Sequence, residues 1–168
     1  MENIIVKRGP GRPRTANNLT EAQYAEKNRK MKAFKADRKE KLIARLGGQC
    51  TVTGSKVDLD FHHVLPSTKA FTIAHGRGLS SAWVRLVAEA DKCVLVCTPV
   101  HKLIHAEVNR IMKVIRKHTE LTPEGEAALL DYHTRRETRR VQLFGRILRQ
   151  QGFTRYGIIT MIRGYYEA

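Results

Sequence analysis

Cys93-Val94-Leu95-Val96-Cys97 runs into Thr98-Pro99 with no linking residue between them, and this junction constrains the fold more than any other stretch. The apolar, β-branched run reads as a short strand. Thr98 as an N-cap with Pro99 at the first helical position starts a helix at once. His101 and His105 then share one face of that helix, because side chains four residues apart stack on the same side. Upstream, the alternation in Leu59-Asp60-Phe61-His62-His63-Val64 reads as another short strand. The order strand, loop, strand, helix lets His62 and His63 meet His101 and His105. Neutral imidazoles gathered in this way hold transition metals, and one left over can act as a base near pH 7. Neighbours on a regular strand face opposite ways. Both His62 and His63 therefore serve one site only if the strand breaks there, and the approach of Pro66 makes a break the expectation.

The rest of the chain divides around that stretch. Its 168 residues suit one domain, or a small domain with appendages. Lys and Arg number 31 against 16 Asp and Glu, a formal charge of +15 that implies a polyanionic partner. Charge alone leaves RNA, DNA and an acidic membrane open. No run approaches membrane-spanning length and the N-terminus lacks the pattern of a signal peptide, so a cytoplasmic protein is expected. Three cysteines, an odd number, fit a reducing compartment. Residues 1–19 are a basic tail in which Gly11-Arg12-Pro13-Arg14 is similar to an AT-hook, with Arg12 and Arg14 aimed at a narrow minor groove; the plainer reading is a solvated tail.

Residues 20–46 read as one helix, opened by the capping box Thr20/Gln23 and closed by Gly47-Gly48, with Lys30 and Lys35 among the cations offered to phosphate. Residues 47–118 form the core, within which Trp83, Leu86 and Val87 are expected on the buried side of a short helix, and His75 in a glycine-rich loop. On the helix after Pro99, Ile104, Val108, Ile111 and Ile115 form one apolar stripe with His101 and His105 at its edge. Residues 119–168 form a C-terminal helical region: Thr122-Pro123-Glu124 starts a long helix carrying Arg135, Arg136, Arg139 and Arg140, and a turn at Gln151-Gly152 leads to a last segment compatible with a helix-turn-helix.

Leu59-Asp60-Phe61-His62-His63-Val64, continued as Leu65-Pro66-Ser67-Thr68-Lys69, together with Lys92-Cys93-Val94-Leu95-Val96-Cys97 and His101-Lys102-Leu103-Ile104-His105, resembles the signature of the HNH, or ββα-metal, endonucleases. The likeness covers roughly Cys50 to His105 and is nearest to the small free-standing homing type of phages and bacteria. It implies an α+β fold with a small ββα-metal core, flanked by the basic N-terminal helix and the C-terminal helices. It also implies hydrolysis of DNA phosphodiester bonds with one divalent metal ion, Mg2+ or Mn2+ for activity, while Zn2+ or Ni2+ can bind.

By that resemblance His63 is the general base, His62 and His101 are metal ligands, and His105 is a further ligand or a phosphate contact. Asp60, on the same side of the strand as His62, can orient an imidazole from behind. Lys92 stands where the family has its asparagine; with Lys69 it is a candidate DNA contact, and what fixes the catalytic loop is left open. Cys50 and Cys97 stand where the family begins two zinc knuckles, but Thr53 and Val100 replace the second cysteines. No structural zinc is expected, with Val52, Leu59 and Val100 filling the space by apolar packing. The partner expected is double-stranded DNA, bound by a monomer that nicks one strand. The competing classes are a DNA- or RNA-binding module without catalysis and a dimeric restriction-type nuclease.

Overall fold

The computed structural model of the chain describes residues 20–74 and 78–168. The AT-hook-like tail with Arg12 and Arg14, and His75, lie outside the described residues. The elements are helix α1 (Glu21–Arg45), strand β1 (Leu59–His63), helix α2 (Trp83–Ala90), strand β2 (Cys93–Cys97), and helices α3 (Thr98–His118), α4 (Pro123–Gln150) and α5 (Arg155–Glu167). The fold is α+β, mostly helical, with one two-stranded antiparallel sheet. Met1–Phe34 and Lys35–Ala168 are separate compact units. In the first, the capping box forms as the sequence predicts: Gln23 N–H donates to Thr20 Oγ1 at 3.3 Å and Thr20 N–H to Gln23 Oε1 at 3.0 Å. Lys30 there pairs with Glu26 at 3.4 Å.

In the second unit α1 ends as its glycines dictate. Gly48 N–H reaches back to Ile43 O at 2.9 Å and Gly47 N–H to Ala44 O at 3.1 Å, with Gly47 at φ 94°, a Schellman stop that a Cβ would strain. The last turns of α1 bury Leu42 and bring Arg38 onto Leu79 O (2.8 Å) and Ser81 O (2.7 Å). β1 pairs with β2 from Leu59↔Cys97 to His63↔Cys93. Two strands alone are marginal in water, and α2, α3 and α4 supply the missing burial. Leu86, Leu95, Ile104 and Ile158 are all sealed from solvent, each worth about 1.5–3 kcal/mol relative to exposure. The buried line of α3 runs Val100, Ile104, Val108, Met112, with Ile111 and Ile115 at its edge.

α4 packs on α3 and on the 3-10 turn Pro66–Thr68, inside the same compact unit as the sheet. It also docks on the turn that follows α1. A Cβ on Gly145 would meet Val52 O at 2.4 Å, so only glycine lets the helix approach so closely. Gln142 Nε2 donates to Thr51 Oγ1 at 3.1 Å and Arg149 to Thr51 O at 3.2 Å. Beside this turn Cys50, Val52, Thr53, Leu59, Cys97 and Val100 are buried together. Thr53 N–H donates to Cys50 Sγ at 3.3 Å, and Thr53 Oγ1 lies 3.8 Å from Cys97 Sγ.

Three sequence expectations are corrected. β1 does not break: His62 and His63 are both paired with β2 and leave the strand on opposite faces, as its pleat requires. Thr98 is not a capping side chain. Cys97 occupies the N-cap position, and the Thr98 hydroxyl turns instead to Asp60 Oδ2 at 2.8 Å. Trp83 is not core but 42% exposed, because α2 begins there at the surface and Arg38 stacks 5.2 Å over its ring.

Candidate metal centre and its neighbouring base

His62, from β1, and His101 and His105, from the first turns of α3, converge. Their ligand atoms all lie within 4.8 Å of one another. The ring centroids of His62 stand 5.1 and 5.2 Å from those of His101 and His105. His101 Nε2 and His105 Nε2 are 3.0 Å apart. Nitrogens sharing one ion at about 2.0–2.1 Å each come to a similar separation of roughly 3 Å. Each element contributes through its own period: alternation along β1 turns His62 inward with Asp60, and the helical repeat aligns His101 with His105.

Exposure grades across the cluster, from fully buried His62 through half-buried His101 to exposed His105. Burial, with the charge of the neighbouring imidazoles adding to it, pushes His62 down to about 3. His101 and His105 are also lowered, chiefly by burial; the Asp60 carboxylate opposes the effect at His101. The three rings are therefore neutral and offer lone pairs at pH 7. Asp60 Oδ2 lies 3.4 Å from His101 Nδ1, so a proton there leaves Nε2 as the ligand atom. The His62 Nδ1 atom is buried without a partner, a lone pair with nothing but the cluster to serve. This donor set could hold a metal ion.

His63 is held apart from that cluster by Glu89, a residue of α2 that sequence reasoning missed. The Glu89 side chain is 2% exposed, and its Oε1 accepts from His63 Nε2 at 2.9 Å. Ala70 N–H (2.8 Å) and Phe71 N–H (3.3 Å) bind the same oxygen, while Lys92 Nζ lies 2.7 Å from Oε2. Burial alone would raise this carboxyl, but the bonds from Lys92, His63 and the two backbone amides outweigh it and hold the group at about 2. An ionised carboxylate only accepts, so His63 carries its proton on Nε2 and Nδ1 is its basic atom. Lys92 also donates to Thr68 O at 2.8 Å, tying down the loop after β1.

His63, His101, His105, Asp60 and Lys69 line one cleft of about 260 Å³. Of the remaining expected contacts, Lys35 is half-buried, and Arg135, Arg136 and Arg139 are exposed on α4. Arg140 is committed internally, 3.2 Å from Glu137 Oε1 and 4.3 Å over the Tyr165 ring. No helix among the described residues is long and apolar enough to cross a membrane.

Glu89 left a faint trace in the sequence, as a carboxylate at a position where the spacing of Leu86 and Ala90 calls for an apolar side chain. Comparison with family models, with curated proteins and with solved structures finds no match to this chain.

Proposed function

We propose that the chain is a metal-dependent DNA endonuclease of the HNH type. The observation that carries this reading is that His101 and His105, two imidazoles of a three-histidine cluster, share one cleft with a fourth histidine seated on a buried carboxylate. Phosphodiester hydrolysis needs those two things, a site for positive charge at the phosphate and a base for the attacking water. His63 Nδ1 takes the proton from water, and Glu89, bound at Nε2, keeps the ring oriented and stabilises the imidazolium that forms. His62, His101 and His105 hold one divalent ion, which when bound would polarise the scissile phosphate and offset charge on the departing 3′-oxygen. Asp60 orients His101 from behind. Lys92 anchors the loop through Thr68 O and Glu89, the task the resemblance left without an owner.

Lys69 at the cleft and Arg135, Arg136 and Arg139 on α4 offer cations to the phosphate backbone, as the +15 charge of the chain requires of some surface. Three neutral imidazoles favour Mn2+, Ni2+ or Zn2+ over Mg2+ as the resident ion. The finer reading is a monomer that nicks one strand, of the free-standing homing kind. Supercoiled plasmid provides the test. Nicking should require a divalent ion, stop on chelation, and vanish in His63→Ala while DNA affinity stays near wild type. Metal-independent nicking, or substantial cleavage by His63→Ala, would sink the proposal.

A further inference from the structure

The four histidines come from residues 62 to 105, yet the deepest of them rests on a residue far outside that stretch. His62 Nε2 lies 2.8 Å from Thr138 Oγ1, 76 positions along the chain on α4. Thr138 is 1% exposed, and its hydroxyl donates to Thr134 O one turn earlier at 2.7 Å. A hydroxyl has a single proton. With that proton given to Thr134 O, Oγ1 faces His62 with lone pairs only, and the proton between them must be on Nε2. The tautomer follows: Nε2–H donates, and Nδ1 holds the lone pair. Nδ1 is the atom left buried and unpartnered beside His101 and His105. A proton placed there instead would be an orphaned buried donor.

We propose that Thr138 is a positioning residue of the metal centre: by the relay Thr134 O, Thr138 Oγ1, His62 Nε2 it fixes the tautomer of His62 and makes Nδ1 its ligand atom. This rests on the reading of the three histidines as a metal site. The long basic helix is then a structural wall of the centre as well as a surface for DNA. Its buried face between Leu130 and Val141 is polar, with His133, Thr134, Glu137 and Thr138 where periodicity calls for apolar side chains, and Thr134 and Thr138 are the two that serve the relay.

The test reads the ring directly. Long-range nitrogen–proton correlation spectra of metal-free protein at pH 7 should show His62 as the Nε2–H tautomer, and added Zn2+ should move its Nδ1 resonance. Thr138→Val keeps the shape of the side chain and removes the acceptor. It should mix the tautomers and weaken zinc binding by about 10–100-fold, and Thr138→Ser should restore both. A His62 found as the Nδ1–H tautomer, a zinc-induced shift at Nε2 in place of Nδ1, or full zinc affinity in Thr138→Val would each overturn the role of Thr138. If Thr138→Val fails to fold, the tautomer and zinc shift of the wild-type protein and of Thr138→Ser still decide the question. Failure of the underlying reading looks different: wild-type protein would take up no zinc at all.

Discussion

Replacing Glu89 by glutamine changes one atom and should be among the most costly conservative substitutions in this protein. The carboxylate is held at about 2, against an ordinary 4.5, by two charged or polar side chains and two backbone amides. A carboxyl whose folded value is depressed contributes stability that is complete above its unfolded value and is lost as pH falls through its folded value. At 1.36 kcal/mol for each factor of ten, the contribution at neutral pH is roughly 3 kcal/mol. Glutamine imitates the protonated acid, so Glu89→Gln should lose about that much at pH 7, and its amide must also present a donor to Lys92 or to His63. By pH 3 the wild-type advantage should fall to about 1.5 kcal/mol, since the unfolded carboxyl has by then taken up a proton that the folded one still refuses. Urea titrations of both proteins at the two pH values measure the gap, and acid titration of other groups cancels in the difference. A gap below about 1 kcal/mol at pH 7, or one that does not shrink by pH 3, would refute Glu89 as an ionised hub.

Metal-free protein should lose stability as pH falls from 7 to 5, because the unfolded chain binds a proton at His62 that the folded state, with its value near 3, refuses. His62→Gln, less stable at neutral pH, should be flatter over that range by roughly 2 kcal/mol in denaturant titrations. Gly145→Ala should destabilise by about 1–3 kcal/mol, read as a lowered Tm, because its Cβ meets backbone that cannot yield cheaply. Arg135→Gln with Arg139→Gln should weaken duplex binding alike on all sequences and reduce the salt slope by about two, measured by titration at several salt concentrations.

Several local signals in the sequence hold. Thr20 with Gln23 and Gly47 with Gly48 bound α1, Thr122 caps α4, and the spacing of His101 and His105 puts both on one face. What escaped was non-local. Glu89 sits 26 residues from the imidazole it holds and Thr138 sits 76 from the one it meets, and no period or cap links such pairs. Thr98 misled because its hydroxyl had a better partner across the sheet in Asp60 than at the helix start. Trp83 misled because apolar spacing on an eight-residue helix says little about which side meets the core; the adjacent Arg38 decides it. The polar run on the inner face of α4 was a readable sign of buried chemistry, and its partners were not.

The distance along the chain from the segments flanking β1 to helices α4 and α5 also sets a clock. Ser67 waits for Asp131, Thr51 for Arg149 and Asp58 for Arg155, partners 64, 98 and 97 positions further on. At roughly 5–20 residues per second, the ribosome takes several seconds to add that length. During those seconds the nascent chain carries all four histidines and no helix to seat His62. A chain cut short before Thr138, from a broken message or a stalled ribosome, would keep the whole histidine motif and lack the wall behind it. The three-imidazole cluster is thereby left without its support in incomplete products until α4 has been made.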